Sequence, residues 1–460
     1  MIIDEGKIKQ LVDIKVTPSD CRRVLERGAN GLGLTVEEAA ILISGVHSGI
    51  VPEEELFDAA GKVRKDIYGN RMVLFAPLYW SSHCINNCAY CGFKRSNRTE
   101  RRLLTPDEVE DEVRVLIRKG YKRVLLESGE DPERNTIERL CRIMERVYAV
   151  RDERGGRIDR INVNIAATAI ENYRLLKDAG IGTYNLFQET YHCETYRKFH
   201  NGPKADYERQ ITAHDRAIEA GIGDEGIGVL YGLYDWRFET LAIIEHADCL
   251  DKVMGVGPHT ISVPRVQPIK GEPFSPPYPV DDETFLQIIA VLRLAVPYTG
   301  IILSTRETPE IRRRAYGIGV SQISAGSSTE VGGYSKAGAY GNTPSGQFDV
   351  GDHRPLEDVI LELIELGFIP SFCTACEIKE RQGERFIPYA KSGEIKKYCT
   401  PNALISLKEY LINYASKRTR EAGERLISSE MDRLPDDDRE RTKGLLEDIS
   451  GGKPANSLYI

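Results

Sequence analysis

Short apolar runs alternate with amphipathic stretches from residue 72 to residue 324. The runs are Met72–Pro77, Arg123–Glu127, Ile161–Ala166, Thr183–Gln188, Ile227–Tyr231, Thr260–Pro264, Gly300–Ser304 and Gln322–Ser324. Each is short and flanked by polar or glycine-rich positions, the pattern of a buried strand. Between them lie segments with helical spacing, including Pro106–Arg118, Thr136–Val150, Tyr207–Ala220 and Asp282–Leu294. Strict alternation of strand and helix predicts a parallel sheet with helical crossovers. Eight such units fit an α/β fold of the closed (β/α)8 TIM barrel type better than an open sheet. In a barrel of that kind the chemistry lies at the C-terminal ends of the strands.

The flanks read differently. Residues 1–70 have helical patterning and no strand signal, with Thr35 and Glu38 spaced as a capping box before Val36. The barrel pattern ends near Pro370. A helical stretch, Pro401–Ala415, and a strongly charged tract up to Lys443 follow, and Asp436–Arg441 reads as a solvated face. The expected division is an N-terminal helical extension (1–70), a barrel (71–370) and a C-terminal helical domain (371–460). Gly332–Gly351 reads as a long ordered loop near the active site, or else as a flexible linker.

Composition narrows the class. The chain has 460 residues and a net charge of -8, which argues against nucleic acid as the main partner. No leader pattern and no long uncharged apolar run are present, so the expectation is a cytoplasmic protein with no membrane segment. Ten cysteines in a reducing compartment point to metal ligation more than to disulfides. Six fall into two clusters, while Cys21, Cys141, Cys193 and Cys249 are scattered and read as buried or inert thiols.

The first cluster is Cys84, Cys88 and Cys91, spaced C-x3-C-x2-C and followed by Gly92-Phe93. It follows the first expected strand. Three thiolates on one loop can hold three irons of a 4Fe-4S cluster and leave the fourth open to another ligand. A structural zinc loop is the competing reading, but zinc sites usually pair two C-x2-C units or add histidines. The second cluster, Cys373, Cys376 and Cys399, again offers three thiolates. A lone C-x2-C is compatible with zinc or redox chemistry; beside the first motif, an auxiliary 4Fe-4S cluster is the better reading. Glu189, at the end of the fourth strand, is placed to accept from two vicinal ribose hydroxyls.

The first motif resembles that of radical S-adenosylmethionine (SAM) enzymes. That resemblance implies SAM on the open iron and a 5′-deoxyadenosyl radical from its reductive cleavage. It makes Ser128-Gly129-Glu130 the turn that receives the SAM ammonium group, with Tyr90 and Phe93 as an apolar wall near the adenine and cluster. Five further stretches narrow it: Gly257–Arg265, Leu303–Glu307, Ser324–Ser327, Ser371–Cys376 and Cys399–Leu404. They resemble the HydG family of tyrosine lyases, which mature [FeFe]-hydrogenase. The related ThiH and NosL families share the barrel without the second cluster.

The family resemblance implies cleavage of L-tyrosine to p-cresol and dehydroglycine. An auxiliary cluster with a fifth iron would then form CO and cyanide for an iron–carbonyl–cyanide unit, in company with other hydrogenase maturation proteins. By position, Arg306 would bind the substrate carboxylate, Tyr79 and Ser324 the amino-acid head, and His259 the fifth iron. Two departures stand out. Where the family has an arginine contacting the SAM carboxylate, this chain has Gln210, and Arg209 is offset by about 100° on a helix. The run Glu377–Gly383 after Cys376 also differs from the family pattern. A HydG-like paralogue that cleaves an aromatic amino acid without building the iron unit, and a non-catalytic iron–sulfur scaffold, are the alternative readings.

Overall fold

The computed structural model describes residues 2–269, 273–336, 346–379 and 383–460. All eight expected strands are present, as β1 (Arg71–Ser81), β2 (Arg123–Ser128), β3 (Arg160–Asn164), β4 (Tyr184–Asn185), β5 (Glu225–Gly228), β6 (Thr260–Ser262), β7 (Gly300–Leu303) and β8 (Gln322–Ser324). Each pairs in parallel with the next, and β1 pairs with both β2 and β8, so the sheet closes into a barrel. The helices between the strands form its outer layer, as a parallel sheet buried on both faces requires.

The barrel carries one strand that the sequence pattern did not suggest. β9 (Ile369–Ser371) pairs with the first residues of β1, from Arg71↔Ile369 to Val73↔Ser371. It is three residues long with a proline at its centre, a composition that demotes a run to edge strand or loop. An edge position tolerates Pro370, because its missing N–H is not needed there. β9 leads directly to Cys373, and so fixes where the C-terminal segment begins relative to the barrel.

The helices Glu5–Val12, Pro18–Ala29, Val36–His47 and Glu53–Tyr68 precede the barrel. The expected capping box is present: Glu38 N donates to Thr35 Oγ1 at 3.2 Å, and Thr35 N donates to the Glu38 carboxylate at 3.1 Å. One continuous hydrophobic core runs from Ile3 through the strands to Leu426 and Ile427, so the C-terminal helices pack on the barrel. No helix among the described residues is long and apolar enough to cross a membrane.

The expected helix Tyr207–Ala220 is broken into Tyr207–Ile211 and Ala213–Glu219. At the break, the Thr212 hydroxyl donates to the Glu208 carbonyl at 2.6 Å and competes with the backbone ladder. The glycine-rich stretch extends beyond the described residues at 337–345, and so does the departing run at 380–382.

Candidate active site

Side chains along a strand alternate faces. On β1, Arg71 and Val73 line a cavity at the lower end of the barrel, whereas Phe75, Pro77 and Tyr79 line one at the upper end. The same division holds on β2, where Arg123 is below and Leu125 and Glu127 are above. Each cavity contains one of the two cysteine clusters.

The upper cavity is open to solvent and has a mixed apolar and polar lining. It brings together Cys84, Cys88, Cys91, Tyr79, Tyr90, Phe93, Ser128, Gly129, Glu130, Glu189, Arg306 and Ser324. The cysteine loop follows β1 and is held from several sides. Asn86 Nδ2 donates to Glu130 Oε2 at 2.6 Å, and Asn86 Oδ1 accepts from Lys204 N at 2.9 Å. Gln347 Nε2 lies 3.8 Å from Cys91 Sγ. Gly129 fits only because it lacks a side chain: a Cβ there would lie 2.5 Å from the His83 carbonyl oxygen and 2.7 Å from Cys84 Cβ. The Ser-Gly-Glu turn is therefore packed directly onto the cysteine loop.

The charges in this cavity are mostly paired. Glu130 accepts from Arg209 at 2.7 Å, and Glu189 from Lys204 Nζ at 2.7 Å. Burial disfavours the Lys204 charge, but Glu189 and Cys88 outweigh it and raise the pKa. Glu189 has φ 68°, the one non-glycine residue in the left-handed region among those described. Such backbone costs on the order of 1–3 kcal/mol and gathers at functional sites. Tyr90 shares a 2.7 Å hydrogen bond with His200, and Phe93 packs edge-on against Tyr79 with ring centroids 5.7 Å apart. Ser324 Oγ accepts from Thr305 N at 3.1 Å, and the Tyr79 hydroxyl donates to Gln347 at 2.8 Å.

Arg306 follows β7, with its guanidinium stacked 3.3 Å from the Phe348 ring centroid and no carboxylate within ion-pair distance among the described residues. Burial lowers its pKa, while Tyr79, Glu189 and Glu127 work in the opposite direction.

The structure holds Gln210 away from the cavity lining. Its amide donates to the Phe187 carbonyl at 2.8 Å, and it is not part of the cavity wall. Arg209, expected to point away, instead reaches the Ser-Gly-Glu turn through Glu130. The two residues do occupy different helix faces, but the short helix begins at the Asp206 cap, which accepts from Arg209 N. The helix starts at Tyr207 as expected; which of its faces docks against the Ser-Gly-Glu turn was not legible from spacing alone. Lys204, Asn86, Gln347 and Glu127 were also missed. Asn86 lies within the cysteine motif and could have been found; Lys204 is in a single 3-10 turn, Pro203–Ala205, and Gln347 in a loop, neither with a periodic signal.

The lower cavity is lined by Cys373, Cys376, Cys399, His259 and the buried ends of Arg71, Arg123 and Arg160. Arg160 donates to Asp224 at 2.6 Å, Glu377 at 2.9 Å and Thr183 at 2.9 Å. Arg123 donates to the Cys373 carbonyl at 3.0 Å. These arginines tie the cysteine segment to the strand starts. Glu377, in the departing run, is thus an ion-pair partner of the barrel. His259 is half-buried, its Nδ1 lies 3.5 Å from Asp224 Oδ1 without a hydrogen bond to any described residue, and burial lowers its pKa to about 4 against the pull of Asp224. It is therefore neutral, the form that ligates metals. Replacing Arg160 with alanine is expected to destabilise the protein by about 3–5 kcal/mol, because Asp224 would be left buried without its cation. Urea unfolding of the purified variant measures this.

The residues at both ends fit iron–sulfur clusters. Among the described residues no three His, Cys, Asp or Glu side chains converge on a point suited to a single metal ion. Burial raises the pKa of two of the thiols, to about 11 at Cys91 and about 12 at Cys373. Without metal they are thiols, and coordination would deprotonate them. The Ala375 N–H already points at Cys373 Sγ, 3.3 Å away, a hydrogen bond of the sort that tunes cluster sulfurs.

A closed parallel barrel with this cysteine loop at its mouth defines a protein of the radical SAM class. The profile of the Radical SAM superfamily matches residues 78–247, and that of the Biotin and Thiamin Synthesis associated domain matches residues 262–369. The second cysteine cluster lies beyond both. 2-Iminoacetate synthase of Escherichia coli (strain K12) is 31% identical over 349 residues, covering 75% of this chain and 89% of that protein. A crystal structure of HydG, a maturase of the [FeFe]-hydrogenase, is 46% identical with TM-score 0.95, covering 100% of both chains. HydG from Carboxydothermus hydrogenoformans is 40% identical with TM-score 0.81, covering 93% of this chain and 94% of that one. The chain belongs to the HydG family of radical SAM proteins.

Proposed function

We propose that this protein is a tyrosine lyase of [FeFe]-hydrogenase maturation. It cleaves L-tyrosine between Cα and Cβ to p-cresol and dehydroglycine. The second cysteine site then converts dehydroglycine to CO and cyanide for an iron–carbonyl–cyanide precursor of the hydrogenase active site, passed on to partner maturation proteins in the cytoplasm. The observation that carries this reading is the presence of two three-cysteine sites at opposite ends of one barrel, in a chain that aligns end to end with a HydG maturase.

The placement of the residues supports the following roles. Cys84, Cys88 and Cys91 would hold a 4Fe-4S cluster, and Cys373, Cys376 and Cys399 an auxiliary one, with His259 for a fifth iron. When bound, the first cluster and SAM supply a hydrogen-abstracting radical. Glu130, Ser128 and Gly129 line the space for the SAM amino acid, and Glu189 the space for its ribose. Arg306 offers a bidentate fork to the tyrosine carboxylate, flanked by Tyr79 and Ser324. Phe348 holds that fork in place by stacking.

The test is anaerobic reconstitution with iron, sulfide, SAM, dithionite and tyrosine. p-Cresol together with CO and cyanide supports the reading, and p-cresol alone would identify a paralogue that lacks the second half. Arg306→Lys is expected to weaken tyrosine binding by about 1.5–3 kcal/mol, the range for a hydrogen bond to a charged group. Unchanged tyrosine affinity, measured by titration calorimetry, would assign the carboxylate to another residue.

A further inference from the structure

Three carboxylates and two cations line the upper cavity: Glu127, Glu130 and Glu189, with Lys204 and Arg306. Glu130 is paired with Arg209, and Glu189 with Lys204. Among the described residues, Glu127 has no ion-pair partner, and neither has Arg306. One acid and one base are thus left uncommitted. Glu127 is the penultimate residue of β2, in register with Tyr79 of β1, whose hydroxyl donates to Gln347. Arg306 acts on both electrostatically from the loop after β7.

An uncommitted anion and cation on neighbouring walls are the complement of an amino-acid zwitterion. We propose that Glu127 receives the ammonium group of the substrate amino acid and takes a proton from it before hydrogen-atom abstraction, while Arg306 holds the carboxylate. This rests on the tyrosine-lyase reading above. The chemical need is specific. An ammonium nitrogen has no lone pair to stabilise the radical left by losing a hydrogen atom, whereas a neutral amine has one. In the proton step one N–H bond of the ammonium breaks and one O–H bond forms on a Glu127 carboxylate oxygen. The amine keeps the electron pair, and no electron is transferred.

Glu127 suits that exchange. Burial raises its pKa to about 7, against the opposing pull of the neighbouring Tyr79 phenol and the Arg306 charge. The groups facing it are Tyr79 from β1 and Arg306 from the loop after β7. Glu130, Glu189 and Lys204 are elsewhere on the wall and are already paired. A base with a pKa near neutrality both accepts and releases a proton at working pH.

The test compares Glu127→Gln and Glu127→Asp with the wild type, all reconstituted alike and checked for iron content and thermal melting. Tyrosine affinity is read by calorimetry, and p-cresol by chromatography across pH 6–9. Loss of a general base typically costs about 10²–10⁴-fold in rate. Glu127→Gln should slow p-cresol by that order while tyrosine Kd changes less than about ten-fold, because the amide oxygen still accepts from the ammonium. The wild-type rate should rise as Glu127 ionises through the neutral range, and this acid limb should be absent in the Gln variant. Glu127→Asp, which keeps a carboxylate, should regain a measurable part of the rate. The inference is overturned if the Gln variant keeps the wild-type rate and pH profile, if its loss lies wholly in Kd, or if Asp is no better than Gln. If the wild type itself made no p-cresol from tyrosine, the substrate reading would fail instead.

Discussion

Alanine at Cys84, Cys88 or Cys91 is expected to abolish 5′-deoxyadenosine formation from SAM. Three thiolates are the minimum that leaves one iron open while holding the other three. Losing one leaves two irons without protein ligands. Disturbing even a residue that merely orients a metal ligand typically costs about 10–100-fold in affinity, so removing a ligand should cost more. No substitute thiol is at hand: among the described residues, the other seven cysteines lie outside this cavity wall. The loop is already fixed by Asn86, Glu130 and the close contact at Gly129, so it has little freedom to recruit another ligand. Iron content and 5′-deoxyadenosine are measured on each anaerobically reconstituted variant, with Cys141→Ala as a control thiol. Normal 5′-deoxyadenosine in any of the three would remove the cysteine loop from the reaction.

The barrel was legible because its signal is redundant. Eight apolar runs at regular spacing specify eight strands even where an individual one is weak, as with the two residues of β4. β9 lacked that support, being short and interrupted by Pro370. The cysteine loop was legible for a different reason: three ligands on one local segment need no tertiary information. Arg209 and Gln210 illustrate the opposite case. Adjacent residues on a helix point about 100° apart, so which of the two meets the site depends on how the helix docks on the barrel, which spacing does not show. His259 lies between these cases. Its strand was predicted, but only the fold brings it from the start of β6 to cysteines more than a hundred residues later. Glu127 was visible as the residue before Ser128, yet its meaning depends on an absence. That it has no ion-pair partner among the described residues emerges only when Glu130 and Glu189 are seen to have theirs.

The two half-reactions should separate in a Cys373→Ala, Cys376→Ala double variant, which is expected to keep making p-cresol and to make little or no CO. The reason is the length of β1. Arg71 faces the lower cavity and Tyr79 the upper one, eight residues apart, roughly 26 Å at about 3.3 Å per residue. No residue lines both cavities. SAM cleavage and Cα–Cβ scission would need only the upper site, whereas dehydroglycine without an iron site below would hydrolyse. The substitutions also cost stability, because Cys373 is buried and its segment is held by Arg123. They leave the ion pair of Arg160 with Asp224 intact, so the strand starts keep their main anchor. His259→Ala should act more mildly, loosening the fifth iron while leaving three thiolates in place. p-Cresol by chromatography and CO by haemoglobin trapping are read from the same samples, with iron counted per chain. Loss of p-cresol in a double variant that still cleaves SAM would mean that the lower site supports the upper one across the barrel. Wild-type CO from it would mean that Cys373 and Cys376 do not hold a working cluster.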